Sequence, residues 1–129
     1  MSESWKPVGY TSVAPYLVAP SSQQVIDFLK LVFDATELRR HNRTDGSIMH
    51  AEVRIGDTVV MLGDATTSWT KTETHLHVYV PDANAVYERA IAAGGIPIQP
   101  PARKSGDEDL RGGFKDPAGN SWWVATQES

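Results

Sequence analysis

The order of secondary-structure signals is written twice along this chain, and that repetition limits the fold more than any single motif does. The run Thr11–Val18 is short, apolar and β-rich, which predicts a strand. Pro15 inside it points to a sheet edge, or to a position whose N–H is not needed. Pro20 stops the strand. Ser21 can then cap a helix, with Gln24 in a capping-box relation to it. Val25, Phe28, Leu29 and Val32 recur at helical spacing, flanked by Ile26 and Phe33. A short strand over Thr36–His41, a turn over Arg43–Ser47 and two strands, Ile48–Ile55 and Thr58–Leu62, follow. Gly56-Asp57 between the last two is a hairpin signal. After a polar linker from Gly63 to Glu73 the order begins again. Thr74–Val80 reads as a strand. Asp82 caps a helix with Ala83, Val86, Ala90 and Ala93 on its stripe, and Gly94-Gly95 ends it. Ile96–Gln99 is a short strand and Pro100–Leu110 a loop. Arg111–Lys115 and Ser121–Thr126 form a last pair around the turn Asp116–Gly119.

This predicts an α+β fold of two βαβββ repeats, whose paired, curved mixed sheets surround a groove with the helices on the outer faces. The chain reads as a single domain over residues 1–129, with repeat one at about 9–63, a linker at 64–73 and repeat two at about 74–127. A groove between repeated units is a usual place for a small-molecule site. At 129 residues the chain can bury about two-thirds of its surface, so it needs no covalent staple. It has no cysteine, which excludes disulfides, thiolate metal sites and thiol catalysis and is compatible with a reducing cytoplasm. With 12 basic against 16 acidic side chains and no basic run, nucleic acid is not an expected partner. No apolar run reaches the roughly 18 residues of a membrane span, and no signal segment opens the sequence.

Strand alternation divides the first repeat's hairpin into two faces. Ala51, Val53 and Ile55 share an apolar face with Thr58, Val60 and Leu62, which should meet the helix. His50, Glu52 and Arg54 lie on the other, opposite Gly63, Met61 and Val59. Glu52 and Arg54 can form a surface ion pair there, or touch a ligand.

The stretches GYTSVAPYLV (Gly9–Val18), IDF (Ile26–Phe28), HAEVRIGDTVVML (His50–Leu62), HLHVYVPD (His75–Asp82) and DPAGNSWWVAT (Asp116–Thr126), in this order, resemble the vicinal oxygen chelate superfamily of glyoxalases, bleomycin-resistance proteins and extradiol dioxygenases. Their wording is similar to its PhnB-like branch. In metal-using members, ligands come one each from the first and fourth strands of both repeats. The resemblance puts these positions on Ala14 (or Val13), Met61, His75 and Trp123. Of these only His75 suits a hard divalent ion, since a thioether prefers Cu(I). The expected cofactor is therefore none. A non-standard metal site on His75 and His77, with His50 or Glu52 as third ligand, stays open.

The resemblance implies a small-molecule binder that sequesters a drug or metabolite, and a homodimer whose groove a second chain often completes. The alternative is a lyase, isomerase or dioxygenase-type enzyme with His75 or His50 as acid or base. The expected ligand-binding set is Tyr16, Met61, His75, His77, Tyr79 and Trp123, whose rings suit aromatic or cationic ligands. The same rings can instead line a second core or a dimer interface. Trp122 should face the helix-side core, Trp69 and Trp5 are unassigned, and Asp107–Asp109 reads as a solvated acidic loop or a cation-attracting lid.

Overall fold

The computed structural model describes residues 5–128. Strand β1 spans Tyr16–Ala19, helix α1 Ser22–Phe33, and strands β2, β3 and β4 Thr36–Asn42, Ile48–Ile55 and Thr58–Asp64. The second unit repeats this order: β5 His75–Tyr79, α2 Ala83–Ala92, β6 Ile96–Ala102, β7 Asp109–Lys115 and β8 Ser121–Gln127. Each unit makes one four-stranded mixed sheet, ordered β1-β4-β3-β2 and β5-β8-β7-β6. The α+β fold of two βαβββ units is therefore the one the sequence predicts. The hairpin register is also as expected, pairing Glu52 with Met61, Arg54 with Val59 and Ile55 with Thr58.

Both helices begin at the expected caps. The Ser21 hydroxyl accepts from the Gln24 amide and the Asp82 carboxylate from the Ala85 amide. The DPAG turn owes its form to Asp116, which is buried. Its carboxylate accepts from the amides of Ala118 and Asn120, from Asn120 Nδ2 and, at 2.8 Å, from Trp122 Nε1. One side chain thus closes the last hairpin and holds the fully buried Trp122 in the core.

Three boundaries differ from expectation. Strand β1 starts at Tyr16 rather than Thr11, because the chain before it turns, with the Tyr10 amide on the Pro7 carbonyl. Pro15, lacking an N–H, contributes its carbonyl to Met61 N and nothing more to the ladder. Strand β6 runs on to Ala102 through three prolines, which an edge strand with two register shifts tolerates. Strand β7 opens at Asp109, inside the stretch read as an acidic loop.

One apolar core serves both units. Sheet one buries Ala51, Val53, Val60 and Leu62 against α1. Phe33 of α1 also packs on Phe114 and Trp122 of the second sheet, with ring centroids 6.2 and 5.3 Å apart. Arg89 of α2 donates twice to the Val32 carbonyl of α1. Each helix therefore covers one face of its own sheet, and the two meet. The opposite face of each sheet is left open and looks away from the helices.

Candidate functional site

The residues expected to surround one groove lie on two separate open faces. Tyr16 and Met61 stand side by side on sheet one, as partners in register. His75, His77, Tyr79 and Trp123 stand on sheet two, where His77 is the register partner of Trp123. Among the described residues no hydrogen bond or ring contact joins the two faces. Helix α1 packs on its own sheet and, through Phe33, on Trp122 of the second, so the helix-covered faces of the two sheets share one core.

Sheet one carries a continuous polar line. Glu52 is 3% exposed although its face is open. Its carboxylate accepts from the Tyr10 hydroxyl and from His50 Nε2 at 2.8 Å, and Arg39 Nε lies 3.4 Å away. His50 Nδ1 is 2.9 Å from the Tyr16 hydroxyl. Burial pushes the Glu52 carboxyl up, but the hydrogen bonds from Tyr10 and His50 and the charge of Arg39 outweigh it. The group ionises below its ordinary value of 4.5. Burial, modulated by the charges of Arg43 and Glu52, raises the Tyr16 phenol. The expected Glu52–Arg54 pair is not made. Arg54 donates instead to the Gly9 carbonyl, and Glu52 takes its partners from β2, β3 and the segment before β1.

Trp69 completes this face. The linker turns it back over the sheet, where its ring lies 5.2 Å from that of Tyr16. Gly63 makes this possible: a Cβ there would sit 2.7 Å from the indole and 2.8 Å from the Met49 carbonyl. Sequence reading left Trp69 unassigned and missed Tyr10 and Arg39. The usable signal was a glycine inside a strand, which marks close approach by another group.

Sheet two has its own network. Trp123 Nε1 donates to His75 Nδ1 at 3.1 Å, with the two rings within 12° of parallel. Arg111 donates to His77 Nε2 and to Asp109, and Tyr79 donates to Asp109 at 2.7 Å. The acidic stretch is thus not simply a solvated loop: Asp109 is buried and Asp107 also faces Arg111. Burial, then the Arg111 charge, lowers the His77 imidazole despite the opposing pull of Asp109. Of the positions that the resemblance puts on Ala14 (or Val13), Met61, His75 and Trp123, only His75 carries a donor suited to a hard ion. His75 and His77 share a face, but His50 and Glu52 lie on the other sheet. Among the described residues no three His, Asp, Glu or Cys side chains are placed to hold a metal ion.

A cleft of about 830 Å³ runs between the two units, along β5 and past the hairpin tip from Ile55 to Thr58. Phe33, Val60 and Trp122 line it together with His75, His77 and Tyr79, three of the expected ligand-binding residues.

The family model of the Glyoxalase/Bleomycin resistance protein/Dioxygenase superfamily matches residues 10–124. The chain belongs to this superfamily. Among sequence relatives, the glyoxalase-type chain is 32% identical over 122 residues to the uncharacterized protein Rv0887c of Mycobacterium tuberculosis, covering 86% of this chain and 71% of that protein. The same identity holds for Mb0911c of Mycobacterium bovis, of which it covers 80%. Among solved structures, TioX from Micromonospora sp. ML1 superposes with a TM-score of 0.75 at 23% identity, covering 91% of this chain and 98% of TioX. A glyoxalase I variant from Zea mays gives 0.72 at 15% identity, covering 88% of this chain and 43% of that one. A fosfomycin resistance protein, FosX from Listeria monocytogenes, complexed with Mn(II) and a dihydroxypropylphosphonic acid, gives 0.68 at 17% identity, with 88% and 89% covered. These likenesses are of fold. Among the described residues of this superfamily member, no helix is long and apolar enough to cross a membrane.

Proposed function

We propose that the chain is a small-molecule-binding protein of the glyoxalase/bleomycin-resistance type, with a degenerate metal position, acting as a cytoplasmic homodimer. The observation that carries this reading is the Trp123–His75 contact. The one residue of the four able to bind a hard ion has Nδ1 taken up by an indole N–H, and that indole stands where the resemblance places another metal ligand. The half-exposed rings of Tyr16, Trp69 and Trp123 offer stacking surfaces in its place, which suits an aromatic or cationic drug or metabolite. The HAE and DPAG stretches favour the PhnB-like branch. In the dimer, sheet one of each chain would face sheet two of its partner, bringing Tyr16 and Met61 across from His75, Tyr79 and Trp123.

A second reading, an enzyme with His50 as acid or base, draws on the buried Glu52 that holds the imidazole. Metal analysis and a thermal-shift panel decide between outcomes. The purified protein should retain no stoichiometric divalent metal after dialysis, and flat aromatic or cationic compounds should raise its Tm. A tightly held equivalent of zinc, nickel or iron, or a panel without a single stabilising compound, would refute the proposal.

A further inference from the structure

We infer that Tyr16, His50 and Glu52 form a directional hydrogen-bond line whose outer end selects ligands carrying a phenolic or similarly acidic O–H. This rests on the small-molecule-binding reading and adds the ligand class. The direction follows from the buried end. An ionised carboxylate only accepts, so His50 must present Nε2–H to Glu52. In the neutral imidazole Nδ1 then has no proton and can only accept. The Tyr16 hydroxyl, 2.9 Å away, therefore spends its proton on Nδ1. What Tyr16 shows to the outside is an oxygen with lone pairs and no proton, at a residue 37% exposed.

The surroundings keep that polarity in place. Tyr10 donates to the inner end and Arg39 supplies a charge beside Glu52. Arg43, the cation whose charge acts on Tyr16, is occupied by the Ser47 hydroxyl and the Ile48 and Asp64 carbonyls. The His41 ring stands 6.5 Å from that of His50. The acceptor also lies beside a ring-binding wall made by Trp69 at 5.2 Å and by Met61 in register. A ligand ring stacked there places an O–H on its rim against the Tyr16 oxygen. A sufficiently acidic phenol can go further. Its proton passes to the Tyr16 oxygen as the Tyr16 proton moves to His50 Nδ1, leaving a phenolate and an imidazolium balanced by Glu52.

Two probes of nearly the same shape test this: para-nitrophenol and para-nitroanisole, the second lacking the O–H. Equilibrium dialysis with the full chain near neutral pH should show the phenol bound about tenfold more tightly, the scale of one well-made hydrogen bond. The visible phenolate band should grow on binding. Tyr16→Phe, which keeps the ring, should bring the two probes to within about twofold. His50→Phe, checked for folding by circular dichroism, should narrow the preference, because Tyr16 then has its proton free to donate to the ether oxygen of the second probe. Equal binding of both probes by the parent, or a preference that survives Tyr16→Phe, overturns the inference and leaves the ring-binding reading intact. If neither probe binds while the thermal-shift panel finds other ligands, the inference alone falls. If the panel also finds none, both fall.

Discussion

At the scale of single residues, neighbours in sequence have opposite fates. Trp122 and Trp123 are adjacent on β8, yet the first is fully buried and held by Asp116 while the second lies on the open face against His75. Trp122→Ala should cost about 3–5 kcal/mol in a urea unfolding experiment, as for a large core truncation. Trp123→Ala should leave folding nearly unchanged and weaken ligand binding by about 1–3 kcal/mol, the scale of a central aromatic contact. An exchange of these two effects would mean that β8 faces the other way. Glu52 makes a prediction in pH. Because its folded value lies below 4.5, the native state binds a proton less readily than the unfolded chain. Its contribution to stability is complete above that pH and is lost as pH falls through the folded value. Glu37, lowered by its hydrogen bond from Arg40 against the effect of burial, acts in the same sense. Denaturation at a series of pH values should show stability declining below about pH 5, and Glu52→Gln should flatten that decline. An unchanged acid limb in the variant would show that Glu52 is not ionised in the way its partners imply.

At the scale of elements, most of the fold could be read from the chain, and most of the site could not. Helix boundaries were legible because caps and stripes are local: Ser21 and Asp82 satisfy amides three residues away. The hairpin register followed from its two-residue turn. By contrast, the partners of Glu52 come from β2 and from a segment 42 residues earlier, and no local pattern encodes such a meeting. The reading of β6 as short came from counting prolines without knowing that the strand sits at an edge. Trp69 was missed because a loop carries no periodicity, although Gly63 marked the spot. Gly63→Ala should therefore act through Trp69. Its new methyl meets the indole and the Met49 carbonyl, so overpacking should cost about 1–3 kcal/mol. The indole should lift from Tyr16, with a red-shifted emission. Unchanged emission and stability would show that the linker does not hold Trp69 on the sheet.

At the scale of the whole molecule, the two edges nearest the unit boundary are treated differently. The linker covers β1, with Thr72 N on the Val18 carbonyl. On β5 the ladder to β8 uses Thr74 O and Val80 N, so the backbone groups of His75, His77 and Tyr79 turn to the other edge, which borders the cleft. An open edge beside an apolar cleft calls for cover. Sedimentation at tens of micromolar should show a species of two chains, and Tm should rise with protein concentration, as mass action requires on the order of those concentrations. A stable 14.1 kDa species throughout would exclude the dimer. The aromatic contact between units has a consequence for biosynthesis. Phe28 and Phe33 leave the ribosome well before Phe114 and Trp122 of β7 and β8, on which they pack. The first unit therefore cannot bury its aromatic face until β8 has emerged. Until then the nascent chain carries an adhesive surface, the kind of surface that chaperones shield.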